Sequence, residues 1–230
     1  MNGYYAIAID GPSGAGKSSM AKELAKRFNF IYVDTGAIYR TLGLAALREN
    51  IDRKSGEECM KLLPTLEISM GYNDAGEQRM YLNGEDVSGE IRQPEVSVAA
   101  SDVSSHGDVR KFLLEMQRKM ARENNVIMDG RDIGTVVLPD AELKIFLTAD
   151  DTARADRRLR ELEAKGVETS FEDVLKDIRY RDEQDSTRAA APLKKAEDAV
   201  LVDSSELDFN ATLDLLCSIV LERLFISEEK

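Results

Sequence analysis

The sequence predicts an α/β protein: a five-stranded parallel sheet with flanking helices, carrying a small antiparallel β insertion and a short helical lid. Short continuous apolar runs, typical of strands buried on both faces, alternate with stretches of helical periodicity. Each run leads into a loop or helix start, as parallel strands joined by crossover helices require. Only between about Gly56 and Gly89 does the period become two, which marks strands with one wet face.

Ala6–Ile9 is the first apolar run, followed by Gly-rich Gly11–Gly16 and a helix with Met20, Leu24, Ala25 and Phe28 at helical spacing. Ile31–Val33 is the second strand, ending at Asp34, and a helix runs from Ala37 to about Glu49. In the insertion, Leu66, Ile68, Met70 and Tyr72 alternate with Glu67, Ser69 and Gly71. Asn73–Gly76 is a turn signal, and Gln78–Asn83 alternates again. Helices follow over Gln93–Ser104 and Val109–Glu123. Val126–Met128 then runs into Asp129-Gly130-Arg131-Asp132, and Lys144–Leu147 is the fourth core strand. Charged helices over about Asp151–Lys165 and Ser170–Gln184 precede the last strand, Ala199–Val202, and an amphipathic helix through Leu213, Leu216, Val220 and Leu224. Open sheets of this kind bind ligands beyond the carboxyl ends of their strands. Asp10, Asp34, Asp129 and Asp203 fall at four such ends.

The chain has 230 residues, 43% apolar and 32% charged, with 31 Lys plus Arg against 43 Asp plus Glu and a net charge of −12. This fits one domain with a real core, and it argues against a general nucleic-acid or anionic-membrane binder. No apolar stretch reaches the length of a membrane span. Cys59 and Cys217 are too few for a disulfide framework, and a lone His106 excludes a His-rich zinc site. Both cysteines and His106 are assigned to loops or packing. Tyr4–Ile9 is too short for a secretory signal, so a cytoplasmic protein is expected, as a monomer without nucleic-acid or membrane partners.

Gly11-Pro12-Ser13-Gly14-Ala15-Gly16-Lys17-Ser18 fits G-x-x-x-x-G-K-[ST], with a strand before it and a helix after it. The glycines let backbone N–H groups converge on phosphate oxygens, and the helix N-terminus adds partial positive charge. Lys17 is placed at the β- and γ-phosphates and Ser18 at Mg²⁺, in a fold of the P-loop NTPase type. Ser19 completes the ATP-binding segment.

A triphosphate site leaves kinase, GTP-binding switch and mechanical ATPase open. No N-K-x-D segment is present to read guanine, and no serine-glycine signature loop marks a transporter ATPase. Of 18 arginines, 7 lie between Arg154 and Arg188, where even spreading gives about 3. Arg154, Arg157 and Arg158 share one helix face, and Arg181, Asp185 and Arg188 make a second row if that helix continues. Ion pairs such as Arg157–Glu161 or Arg181–Asp185 are the plain alternative, worth about 0.3–0.5 kcal/mol each. That explanation suffices for Arg160 and Arg179. The two rows follow core strands, which suits a lid over about 151–188 with Arg157 and Arg158 at ATP. A hydroxyl acceptor would want a general base, and none is evident. A phosphate acceptor needs cations instead, and Arg40 and Arg131 stand at strand mouths to supply them. A nucleoside monophosphate kinase is therefore favoured.

Five segments, GPSGAGKS, DTGAIYR (Asp34–Arg40), LNGEDVSGEIR (Leu82–Arg92), DGRDIGTVVLPDA (Asp129–Ala141) and RDEQDSTRAAAPL (Arg181–Leu193), together resemble the bacterial cytidylate kinase family over about residues 5–205. The resemblance implies transfer of the ATP γ-phosphoryl group to CMP or dCMP with Mg²⁺, and a monophosphate-binding region over about 37–107 enlarged by the insertion. It places Arg40, Arg131 and Arg188 on the monophosphate, and Thr35, Arg110 and Asp132 on cytosine. It places Ser101, Arg181 and Asp185 around the ribose. Lys17, Arg131 and Arg188 would carry catalysis. The base assignment also suits the chemistry of cytosine, whose N4 amino group donates beside accepting N3 and O2. A broader UMP/CMP kinase is the nearest alternative and a GTP-binding switch a more distant one. Asp132 pairing with Arg131 or capping the next turn is the structural alternative for that residue. Asp34 and Asp129 are left between ordering Mg²⁺ waters and bonding nearby backbone.

Overall fold

The structure, a computed structural model, describes residues 4–164 and 166–225. Every residue of β1 (Ala6–Asp10) is buried, as a continuous apolar run requires when both sheet faces are covered. The Gly-rich loop leads into α1 (Lys17–Phe28), which buries Met20, Ala21, Leu24 and Ala25 on one face. β2 (Ile31–Asp34) and α2 (Thr35–Arg48) follow. Asp34 ends the strand and caps the helix, its carboxylate accepting the Ala37 N–H at 3.0 Å.

The 56–89 segment does not consist of β structure alone, because it opens with the helix α3 (Gly56–Leu62). Ser55 caps it by accepting the Glu58 N–H, Glu57 and Glu58 lie in its first turn, and Cys59 and Leu62 are its buried residues. These short-range capping interactions favour a helix in seven residues too few to show periodicity. The antiparallel sheet follows as β3 (Ile68–Tyr72), β4 (Gln78–Leu82) and a two-residue β5 (Glu85–Asp86), with Met70 opposite Met80.

Helices α4 (Pro94–Ser104) and α5 (Gly107–Glu123) lead to β6 (Val126–Gly130). After β6, Ile133–Val137 forms a wide turn in which the Leu138 N–H reaches the Ile133 carbonyl, five residues back, at 2.7 Å. The remaining elements are β7 (Leu143–Thr148), α6 (Asp151–Glu163), α7 (Phe171–Thr187), β8 (Val200–Asp203) and α8 (Phe209–Val220). Helix α7 continues past Gln184, so Arg181 and Asp185 share it and Arg188 is its C-cap. Lys165, at the expected end of the preceding helix, lies outside the described residues.

The parallel sheet has five strands in the order β2-β6-β1-β7-β8. Parallel register sets Asp10 beside Gly130 on one side and Phe146 on the other. The chain divides into two compact units, one of residues up to Tyr32 and from Ala121 onward, the other Val33–Met120. Each unit has its own core. Ile7, Ile9, Leu24, Ile127, Ile145, Leu213 and Leu216 centre the first. Ile38, Leu42, Leu63, Met80, Val96 and Leu113 centre the second. Helices α6 and α7 hold a further small cluster of Ala155, Val174 and Ile178.

Candidate active site

The Gly-rich loop is shaped by the strands before any ligand is considered. A Cβ on Gly11, at φ +152°, would fall 1.9 Å from the Leu147 carbonyl oxygen on β7, so only glycine fits there. Lys17 begins α1, is 5% exposed and donates to the Pro12 carbonyl at 2.7 Å. Burial lowers its pKa, and the nearby Arg131 charge lowers it further, against the opposing charges of Asp129, Asp185 and Asp10. Lys17 and Arg131 are thus close enough for the charge of one to bear on the other.

Ser18 donates to Asp129 Oδ2 at 2.7 Å, and Tyr32 donates its hydroxyl to Asp129 Oδ1 at 2.8 Å. Asp129 is buried at the end of β6, beside β1. The serine hydroxyl and the carboxylate make an adjacent pair of hard oxygen donors, the ligand type a small divalent cation takes. Asp34, by contrast, is committed to the α2 cap and to Arg40, whose Nη2 donates to it at 2.6 Å. It is a structural partner.

Arg131 follows β6 and donates through Nε to Asp185 Oδ2 at 2.6 Å. Burial acts to lower its pKa, but Asp185, then Asp129 and Asp182, hold it above the ordinary value. Arg188 donates to Asp132 at 3.4 Å, lies 3.7 Å from Asp185 and fixes its Nε on the Ala191 carbonyl at 2.7 Å. Arg131, Asp132, Asp185 and Arg188 therefore form one cluster. The Asp132 side chain does not cap the wide turn after it. Its carboxylate pairs with the guanidinium of Arg188.

The first row of arginines diverges. Arg154 is 6% exposed, pairs with Asp182 at 2.7 Å and donates to the carbonyls of Ala149 and Ser13, each at 2.8 Å. Arg157 turns to Ser204 and the Leu207 carbonyl, and Arg158 pairs with Glu161 at 3.0 Å on the surface. Glu161 thus pairs with Arg158 and not with Arg157, which is held by Ser204 and Leu207. Arg181 likewise pairs with Asp177 at 3.1 Å, leaving Asp185 to Arg131. Arg160 and Arg179 are exposed ion-pair residues, bonded to Asp156 and Asp151.

In the unit Val33–Met120, Thr35 is buried at the start of α2 and Arg110 is buried on α5. The Arg110 guanidinium lies 5.1 Å from the Tyr39 ring centroid and donates to the Ser104 carbonyl at 3.3 Å. Helix α4, which carries Ser101, packs closely on α2: a Cβ on Gly43 would lie 2.7 Å from the Ala100 nitrogen. Arg40 extends from α2 toward Asp34. His106 donates from Nε2 to the Arg53 carbonyl, 2.9 Å away, and Cys59 is buried in the core, so both are packing residues.

Of the residues with positioning roles, Asp182 had no signal in the sequence, whereas Asp10, Asp129 and Arg154 stood out by strand ends or helical spacing. Asp10 accepts the N–H groups of Ile133 and Gly134, each at 2.7 Å, tying β1 to the segment after Asp132. Asp182 and Arg154 meet at Ser13 across 28 residues of sequence, which no local pattern reveals. Asp129 carried a signal, an acidic residue ending a buried apolar strand.

A family model described as cytidylate kinase matches residues 7–222. The chain belongs to the cytidylate kinase family. The cytidylate kinase of Caldicellulosiruptor bescii is 49% identical over 207 residues, 90% of this chain and 91% of that protein. That of Carboxydothermus hydrogenoformans is 48% identical over 214 residues, 93% and 96% of the two chains. A solved structure, an uncharacterized protein from Eubacterium ventriosum, matches with TM-score 0.53 at 14% identity, covering 95% of this chain and 99% of that one, and shows the fold alone. Family membership makes the chain a nucleoside monophosphate kinase acting on nucleotides, and the GTP-binding switch is not favoured. Among the described residues, no helix is long and apolar enough to cross a membrane.

Proposed function

We propose that this protein is a cytidylate kinase that transfers the γ-phosphoryl group of ATP to the α-phosphate of CMP or dCMP, giving CDP or dCDP and ADP. The observation that supports the reading is the cluster of Arg131, Asp185, Arg188 and Asp132, whose charge bears on Lys17 of the phosphate loop. A cation on the phosphate loop and two arginines after neighbouring elements suit two anions that must meet in line.

The backbone of Gly11–Gly16 and the first turn at Lys17–Ser19 would cradle the ATP phosphates. Lys17 would hold the transferring oxygens, its ammonium form restored by the phosphate charge. Arg40, Arg131 and Arg188 would neutralise the acceptor phosphate and align it, and no base is required because that phosphate carries about −2 charge. Asp132 would accept from the cytosine amino group while Arg110 and Thr35 donate to its other edge, and Ser101, Arg181 and Asp185 would surround the ribose. Ser18 with Asp129 would hold Mg²⁺, which when bound screens charge on the phosphates. Catalysis then comes from alignment and charge neutralisation. Residues 151–188 would act as a lid and residues 37–107 as the monophosphate-binding region, in a cytoplasmic monomer; Arg157 and Arg158 would have to leave their present partners to reach ATP.

The test is a coupled assay with ATP and Mg²⁺ against CMP, dCMP, UMP, AMP and GMP. CMP and dCMP should be used with kcat/KM at least about a hundredfold above UMP, since mispaired buried donors and acceptors are strongly discriminated against. Equal use of UMP would establish broader pyrimidine specificity instead.

A further inference from the structure

The phosphate loop is gripped at one residue, Ser13, by the α6–α7 helix pair. Arg154 on α6 donates from Nη1 to the Ser13 carbonyl at 2.8 Å, and the Ser13 N–H donates to Asp182 Oδ1 on α7 at 3.3 Å. The other oxygen of Asp182 accepts from the same Arg154 Nη1 at 2.7 Å, closing a three-membered knot. Arg154 has no slack, because its Nε is fixed on the Ala149 carbonyl and the side chain is buried. Apolar contact reinforces the joint: a Cβ on Gly14 would lie 3.3 Å from Arg154 Cβ and 3.5 Å from Ile178 Cδ1. One turn beyond Asp182 on the same helix, Asp185 accepts from Arg131 at 2.6 Å, and Arg188 caps the helix beside Asp132.

We propose that Asp182, held by Arg154, is a positioning residue that sets the register of α7 on the phosphate loop and thereby couples triphosphate occupancy to monophosphate affinity. The inference rests on the reading that Arg131, Asp185 and Arg188 hold the monophosphate. Asp182 itself is assigned no contact with either substrate. A shift of the Ser13 peptide on nucleotide binding must move Asp182 or break its bond. Three residues later on a rigid helix, about 4.5 Å along its axis, any such movement reaches Asp185. Coupling of this kind is a free energy shared by both ligands and is therefore reciprocal.

The experiment is calorimetric titration of CMP with and without the non-hydrolysable analogue AMP-PNP and Mg²⁺, in the wild type, Asp182→Asn and Asp182→Glu, with the exposed Arg160→Ala as control. In the wild type the analogue should change the CMP dissociation constant by threefold or more, and CMP should change analogue affinity by the same factor. In Asp182→Asn the factor should fall to about one, and in steady-state assays with ATP the KM for CMP should rise about tenfold with kcat less affected, the loss expected for a hydrogen bond to a charged group. Asp182→Glu should restore part of the coupling, and Arg160→Ala should match the wild type. Asp182→Asn with unchanged coupling, or a wild type with none, overturns the proposal. A wild type that binds UMP or AMP in preference to CMP overturns the functional reading and leaves the coupling factor measurable with that nucleotide. Melting temperatures of each variant identify any that do not fold, and in that case Asp182→Glu against wild type decides.

Discussion

Asp10→Asn isolates one buried charge whose contribution to stability has a definite sign and size. Asp10 is 4% exposed at the end of β1 and accepts two backbone N–H groups at 2.7 Å. Burial pushes its pKa up from 3.8 to about 6, against the two amide donors, with the Asp132 charge adding to the rise and Lys17 opposing it. The folded protein therefore holds this proton more tightly than the unfolded chain. The group adds stability as pH falls through about 6; that gain is complete below 3.8 and lost as pH rises through the folded value. With those two values, linkage gives about 1.4 kcal/mol gained between pH 7 and pH 5. Asparagine does not titrate. Its single acceptor oxygen also leaves one buried N–H poorly paired, costing about 1–3 kcal/mol at pH 7. Urea unfolding of wild type and variant at pH 7, 6 and 5 reads both effects, with groups remote from Asp10 cancelling in the difference. The gap should widen in favour of the wild type by about 1.4 kcal/mol on acidification. Curves that stay parallel, or a gap that narrows, would refute the reasoning.

Lys17→Met should lower kcat by about 10²–10³, the cost of one preorganised donor to a developing charge, while circular dichroism and melting remain near wild type; near-normal turnover would remove Lys17 from the mechanism. Asp132→Ala should reduce kcat/KM for CMP by at least about tenfold, whereas Arg160→Ala, which loses only an exposed pair with Asp156, should leave it unchanged; equal losses would show that the base-reading residues are misassigned. Gly43→Ala should destabilise the protein by about 1–3 kcal/mol in denaturant titration, because its Cβ would press to 2.7 Å from the Ala100 nitrogen.

The parallel core was legible because each buried strand is a short apolar run that stops at a polar residue, as Ala6–Ile9 stops at Asp10 and Val126–Met128 at Asp129. Such runs are dictated by burial on two faces, a property of the strand's own sequence. Helix α3 was not legible from periodicity, since seven residues span less than two turns. Its Ser55-x-x-Glu58 pattern was the usable signal. β5 is two residues long and exists only through pairing with Tyr81 and Leu82. The phosphate loop was readable because its chemistry is contiguous. The arginine rows were only half readable: helical spacing put Arg154, Arg157 and Arg158 on one face, but partners on β8's following loop and on α7 decided where each turned. A grip such as Ser13–Arg154–Asp182 depends on three distant segments and leaves no local trace.

Gly11 is the opening letter of the pattern by which the nucleotide site is recognised, yet its identity is imposed by Leu147, whose carbonyl oxygen would stand 1.9 Å from any side chain placed there. Part of what looks like a ligand signature is thus a record of strand crowding. A redesign that changed the donor nucleotide would inherit that glycine regardless, since its backbone angle of +152° would strain any other residue even if the strand gave room.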